Sequence, residues 1–359
     1  MTPSNDRPDI SGSAVRVAVV GCGHIGLAVH IPSLLSIPGV RVVAVADTDA
    51  SRRAAAAQRA PGARAVQDLE AVLAGSDVDA VVVCLPSAMH DRAALRVLES
   101  GRALYLEKPL ASTLADGRAL VARWKAAKVP AMMGLNYRFN PLHESMRRAI
   151  ASGALGSPLH VRTVFATSPG SMPGWKQRRG SGGGVLLDLG THHFDLLGFL
   201  LGQSITEISA RVVSRRTEAD TAVVTYRLGT GADAMTGESF FSFAAADQDC
   251  FEIIGERGRV VIDRYRSFGV RVQPLQLEGR LGALWRDGVS AMRSGRVLSR
   301  ILARGNEPSF RLAIQRFVDA ARGIAQASPD LADGLRALEV VHAAEESAST
   351  GATIAVVNA

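Results

Sequence analysis

Cysteine is scarce in this chain. The 359 residues hold three, Cys22, Cys84 and Cys250, far apart and in no disulfide or metal-ligand spacing. Two of them sit inside apolar, strand-like runs, where a reduced thiol acts as a small hydrophobe. Long apolar runs are also missing, and none of those present could span a bilayer, so no integral membrane segment is expected. The first residues, MTPSNDRPDISGSA, lack a basic start followed by an apolar stretch. They read as a disordered tail over 1–14 of a cytoplasmic protein. The formal net charge of +7 comes from arginines spread along the chain rather than from one block. It favours anionic ligands only weakly, and no nucleic-acid partner is expected.

What is present is a two-part rhythm. At 359 residues with 47% hydrophobic content, two globular domains are expected. VRVAVV (15–20) is a β-branched apolar run, followed at once by GCGHIG and then by the helical pattern LAVHIPSLLS. In this strand, glycine turn and helix, Gly21 permits the tight turn, Gly23 lets a pyrophosphate approach the backbone, and Gly26 lets the helix pack on the strand. His24 and Ile25 fill the variable positions of that loop and are grouped with the cofactor contacts. A second strand, VRVVAVA (40–46), ends in Asp47, which is placed to hydrogen-bond the adenine ribose. The bland alternative is that Asp47 caps a helix in DTDASRR. A carboxylate there repels a 2′-phosphate, so NAD is favoured over NADP, although Arg52 and Arg53 stand close enough to soften the preference.

DAVVVCLP (79–86), ALYLEKP (103–109) and VPAMMGLNYRF (129–139) continue the alternation, separated by amphipathic helices. Repetition of this kind predicts a parallel, doubly wound α/β sheet, with ligands at the carboxyl ends of its strands. Pro86, Ser87, Glu107, Lys108, Asn136 and Tyr137 fall at such ends, and His90 is expected near the cofactor edge. After about residue 140 strands follow one another: LHVRTVFA, ITEISARVV, TAVVTYRL, AMTGESFFSF and CFEIIGERGRVVID. They predict an α+β domain over 137–359 with a large, mostly antiparallel open sheet, after a dinucleotide-binding domain over 15–136. The closing helices are expected to reach back to the first domain.

GGGVLLDLGTHHFDLLGFLLG (182–202) sets two aspartates and two histidines in an otherwise apolar run. Burying such groups without partners costs several kcal/mol, on the order of what a lost hydrogen-bond partner costs. Read as a helix, Asp188, His192 and Asp195 share one stripe at i, i+4 and i+7, while His193 points elsewhere and is structural. Asp195 could hold the His192 imidazole or serve as a helix partner, and both stay open. A metal site of Asp188, His192 and Asp195 is not expected, because no Cys or His cluster completes it.

GCGHIG, the acidic end of the second strand, EKP, NYRFNP and GGGVLLDLGTHHFDLL, taken in order, resemble the Gfo/Idh/MocA family of glucose-fructose oxidoreductase and inositol dehydrogenase. The tail, SFRLAIQRFVDAARG and DGLRALEVVHAAEESASTG, extends the likeness over nearly the whole chain. The resemblance implies an N-terminal Rossmann domain and a catalytic trio of Lys108, Asp188 and His192 around the reacting hydroxyl. It also places Asn136, Tyr137 and Arg138 near nicotinamide and substrate, and Trp175 to Arg179, with Lys176, on a substrate-side loop.

The expected activity is hydride transfer between a secondary hydroxyl of a sugar, cyclitol or sugar derivative and NAD. His192 would carry the proton, the Lys108 ammonium would stabilise charge on the oxygen, and Asp188 would bind substrate or orient the imidazole. Two other activities are compatible with the family. One is an NAD-dependent glycosidase working by transient oxidation, and the other is a non-enzymatic cofactor-binding sensor. A homodimer or homotetramer is expected. The basic stretch 264–307, with apolar Leu281, Leu284, Trp285, Met292, Leu298, Ile301 and Leu302 opposite five arginines, is expected to shape substrate choice, including for a phosphate-bearing substrate.

Overall fold

The computed structural model describes residues 14–170, 172–274 and 307–357. The apolar and basic positions singled out between 281 and 304 lie outside them. Six short strands form the N-terminal sheet: β1 (Val15–Val20), β2 (Val40–Ala46), β3 (Arg64–Val66), β4 (Ala80–Val83), β5 (Ala103–Leu106) and β6 (Ala131–Met133). All pair in parallel, in the order β3-β2-β1-β4-β5-β6. β4 and β5 are buried at every position, as a sheet covered on both faces requires. The order reverses between β1 and β4, which opens a crevice at the carboxyl edge of the sheet.

The second sheet has eight strands: β7 (Pro158–Ala166), β8 (Ile205–Val213), β9 (Thr221–Leu228), β10 (Met235–Ser242), β11 (Gln248–Gly255), β12 (Gly258–Asp263), β13 (Arg271–Pro274) and β14 (Ile354–Ala355). Their order is β13-β12-β11-β7-β10-β9-β8-β14. Pairing is antiparallel except between β7 and β10, so the expected sheet carries one parallel seam. β9 alternates strictly between buried and outward residues, which gives the sheet one buried and one open face.

The buried face meets the helices Pro141–Ala151, Thr191–Leu201 and Leu331–Thr350. The last begins with a reciprocal cap in which Asp333 N–H donates to Asp330 at 2.9 Å and Asp330 N–H donates to Asp333 at 2.8 Å. It also packs on the helix Leu114–Ala127 and on β6, so the two sheets share one apolar core. The helix Pro308–Ala321 returns to the other face of the first sheet. There Ile314, Phe317 and Val318 join Val15, Val17, Ile31 and Leu34.

The stretch 182–202 is not one regular helix. Leu186–Gly190 forms a wide π-type turn and the α-helix starts only at Thr191. The extra residue in that turn breaks the expected stripe, so Asp188, His192 and Asp195 reach three different sets of partners. Such turns recur at functional sites because they re-aim side chains.

Candidate active site

The glycine loop is shaped by contact rather than by flexibility alone. A Cβ on Gly26 would lie 2.1 Å from the Gly21 carbonyl oxygen, so only glycine lets this turn close on the strand. At Gly23 a Cβ would meet nothing within 4 Å, which leaves one side of the loop open for a ligand to approach the backbone. The Asp47 carboxylate accepts from Cys22 N–H at 2.8 Å and from Asp49 N–H at 2.9 Å, which fixes it against this loop. The cap of the following helix is Asp49, whose side chain accepts from Ser51 and Arg52 N–H, so Asp47 does not have that task. Arg53 Nη1 donates to the Asp47 carbonyl at 2.6 Å.

Just past β5, Lys108 crosses to the second domain. Its ammonium donates to the Asp188 carbonyl at 2.9 Å and to the Asp188 carboxylate. Lys176 donates to the other carboxylate oxygen at 2.8 Å. The loop carrying Lys176 comes this close because Gly183 has no side chain, since a Cβ there would sit 2.2 Å from the Lys176 carbonyl oxygen. Burial alone would raise the Asp188 carboxyl, but the two ammonium groups outweigh it and hold it well below the usual carboxylate range. A cavity of about 400 Å³ opens beside this cluster, lined by Lys176, Asp188, Thr167, Arg216, Thr217 and Phe243 among others.

His192 lies beside the pair, with its ring stacked on Tyr137 at 4.3 Å between centroids and 16° between planes. Its Nδ1 is buried and has no hydrogen-bond partner among the described residues. Burial first, and the Lys108 charge second, push the imidazole well below its usual proton affinity, so it is neutral at neutral pH. A ring held neutral next to a fixed ammonium can accept a proton from a hydroxyl bound between them.

Two family matches place this chain among known proteins. Residues 15–135 match the oxidoreductase family NAD-binding Rossmann fold, and residues 143–261 match the GFO/IDH/MocA C-terminal domain. The chain belongs to the Gfo/Idh/MocA family. Inositol 2-dehydrogenase of Rubrobacter xylanophilus is 30% identical over 348 residues, spanning 94% of this chain and 92% of that one. Inositol 2-dehydrogenase of Rhizobium meliloti is 28% identical over 351 residues, 95% of this chain and 99% of that one. The WlbA dehydrogenase from Bordetella pertussis, solved in complex with NADH and UDP-GlcNAcA, shares the fold with a TM-score of 0.82 at 23% identity, covering 96% of this chain and 99% of that chain.

As in its family, this chain carries an NAD-binding Rossmann domain, and the open side of Gly23 and the fixed Asp47 carboxylate fit such a cofactor. Other expected site residues are placed differently. Arg138 is paired with two carboxylates: Nε donates to Asp195 at 2.9 Å, and Nη2 donates to Asp195 at 2.5 Å and to Asp333 at 2.9 Å. The same contact pairs Asp195 with Arg138 of a different element, and no hydrogen bond joins Asp195 to His192 among the described residues. These two residues and Asp333 line a separate cavity of about 250 Å³ that includes neither Lys108 nor Asp188.

His90 is buried with its ring nitrogens facing the carbonyl oxygens of Leu85 at 2.8 Å and Pro109 at 2.6 Å, between the loops that follow β4 and β5. Glu107 turns inward to accept from His30 Nε2 at 2.6 Å, and Asn136 Nδ2 donates to Ser309 at 2.7 Å. His24 is exposed and Ile25 half-buried on the loop. Pro86 precedes the buried Ser87, whose Cβ lies 2.7 Å from where a Gly182 Cβ would be. Trp175 has the Lys176 ammonium 5.5 Å from its ring. His193 packs in the core against Asp249, 3.2 Å away.

Arg264 opens the basic stretch 264–307 but was not singled out within it. It is 13% exposed, stands 4.6 Å over the Tyr137 ring and is ion-paired to Asp249 at 2.6 Å. Among the described residues no group of three metal-ligating side chains exists, and no helix is long and apolar enough to cross a membrane.

Proposed function

We propose that this chain is an NAD-dependent dehydrogenase that moves a hydride between a secondary hydroxyl of a sugar, cyclitol or sugar derivative and nicotinamide. The observation that carries the reading is the Lys108 ammonium fixed on Asp188 with the neutral His192 ring beside it, and a cavity of about 400 Å³ that Asp188 and Lys176 line. Gly21, Gly23, Gly26 and Asp47 would hold NAD, whose nicotinamide would accept the hydride. His192 takes the hydroxyl proton, and Lys108 stabilises the negative charge that grows on the oxygen. Asp188 holds the Lys108 and Lys176 ammonium groups in place, and the Tyr137 ring holds the imidazole. Relatives named inositol 2-dehydrogenase support a polyol substrate. NADP serves less well, because Asp47 repels a 2′-phosphate. The protein works in the cytoplasm as a homodimer or homotetramer.

The test is Lys108→Met, with polyols and sugars screened for NAD reduction and NADH binding followed by fluorescence. Loss of turnover with NADH affinity kept is the expected result. Turnover retained in the variant would remove Lys108 from the reaction.

A further inference from the structure

Arg264 follows β12 directly, and everything around it fixes it in one place. Its backbone N–H donates to the Asp249 carbonyl at 2.7 Å, and its Nε donates to the Asp249 carboxylate at 2.6 Å. Nη1 donates to Glu307 at 2.9 Å and Nη2 to the Tyr265 hydroxyl at 3.1 Å. Asp249 is fully buried and also faces His193 Nε2, while Glu307 accepts from Asn140 Nδ2 at 2.8 Å. A planar guanidinium held by two carboxylates is a far more determined group than an ordinary surface arginine.

This fixed cation leans on the ring that carries the imidazole. Arg264 Cζ is 4.6 Å from the Tyr137 centroid, and the His192 ring stacks on the same Tyr137 at 4.3 Å. We propose that Arg264 is a positioning residue for His192, acting through the Tyr137 ring and through its own charge. The inference rests on His192 being the proton carrier of the proposed dehydrogenation.

The groups facing His192 can be named element by element. Lys108 comes from the loop after β5, Asp188 from the turn before its own helix, Asp249 from β11 and Arg264 from the end of β12. Tyr137 supplies the stacking face, His143 stacks on Tyr137 from the helix Pro141–Ala151, and Phe165 of β7 closes the side. Asp188 is matched by two lysines, so Lys108 and Arg264 are the cations that oppose a proton on the ring. Losing Arg264 also leaves the Asp249 charge without its guanidinium, and both changes favour a proton on His192 as well as on His193, which Asp249 contacts.

The experiment uses the full chain with NAD bound and compares wild type, Arg264→Gln and Arg264→Lys. The His192 imidazole is titrated by NMR, with His192→Gln to assign its signal, and kcat, KM and the melting temperature are measured on the same preparations. In Arg264→Gln the protonation constant of His192 should rise about threefold or more. Its kcat at neutral pH should fall about tenfold while KM stays within about twofold. Arg264→Lys keeps the charge but loses the planar stack, so it should leave the titration in place and still lower kcat. A lower melting temperature in Arg264→Gln with an unmoved titration and unchanged kcat would make Arg264 merely structural and overturn the proposal. Should Arg264→Gln fail to fold, wild-type kcat in Arg264→Lys would overturn it as well. The titration does not need turnover. A shifted titration in a protein that oxidises no polyol would therefore count against the dehydrogenase reading and leave the link from Arg264 to His192 standing.

Discussion

Lys108 and Asp188 meet across the junction of the two sheets, eighty positions apart in sequence, through the Asp188 carbonyl at 2.9 Å and its carboxylate. Lys176 shares the same carboxylate. One anion therefore holds two cations, of which Lys176 lines the cavity, and the geometry proposed for the reaction depends on it. Asp188→Asn would leave the two ammonium groups facing each other without a counter-charge. We expect kcat to fall by about a hundredfold, the order of losing one preorganised electrostatic partner. NADH affinity should change by less than about threefold, which corresponds to under 1 kcal/mol. Steady-state rates together with an NADH titration check both, and a kcat within a few-fold of wild type would deny Asp188 this role.

Asp47 gives a prediction about cofactor choice. Its carboxylate is fixed by the Cys22 and Asp49 amides and faces the open glycine loop. Asp47→Ser removes the charge that repels a 2′-phosphate and leaves Arg52 and Arg53 nearby. NADH binding should weaken by about tenfold, near 1.4 kcal/mol, while NADPH binding improves. Parallel fluorescence titrations decide it, and an unchanged NADH to NADPH ratio would show that Asp47 does not discriminate.

Much of this was legible in the sequence because local signals and long-range ones agreed. The β-branched run before GCGHIG, the acidic end of the second strand and the alternating strands after 158 each report a periodicity or a turn that a short window can carry. Three things were not legible. The π-type turn at Leu186–Gly190 has no pattern distinct from an α-helix, so the stripe of Asp188, His192 and Asp195 looked continuous. Arg138 sits two residues from Asn136 and looked like a ligand contact, yet its partners Asp195 and Asp333 are 57 and 195 positions away. Arg264 sits in a run of scattered basic residues, and only the fold shows that Asp249 and Tyr137 claim it. An Arg that closes the hairpin opened by Asp249, fifteen residues earlier in DCFEIIGERGRVVIDR, was the available hint.

Stability should depend on pH through His143. Burial pushes its imidazole down to about 4, and Nδ1 lies 2.9 Å from the Tyr137 carbonyl, to which a neutral ring donates. The folded value is below the unfolded one, near 6.5, so between these values the unfolded chain binds a proton that the folded chain refuses. Stability is therefore full above about pH 6.5 and falls as the pH drops toward about 4, by up to about 3 kcal/mol from this group. The buried His193, also pushed down mainly by burial, adds loss in the same direction. Melting temperatures of wild type and His143→Phe across this range are the check. The variant should show a shallower decline, and parallel curves would remove His143 from the effect.

The direction of the His192 shift makes a matching prediction for activity. Oxidation of a hydroxyl needs the neutral imidazole as base, so its rate is lost when the pH falls through the folded value of that ring. Burial and Lys108 set that value well below the ordinary one, near 6.5. The acid limb of kcat/KM for NAD reduction should therefore lie below about pH 6.5, and more than half of the plateau rate should remain there. The reverse reaction needs the imidazolium as proton donor, so ketone reduction should gain as the pH falls over the range in which oxidation still holds its plateau. The two limbs must belong to one group, because the proton taken in one direction is the proton given in the other. Initial rates in both directions over the same buffers test this. An acid limb for oxidation at or above about pH 6.5 would mean that the group titrating is not the buried, Tyr137-stacked ring of His192.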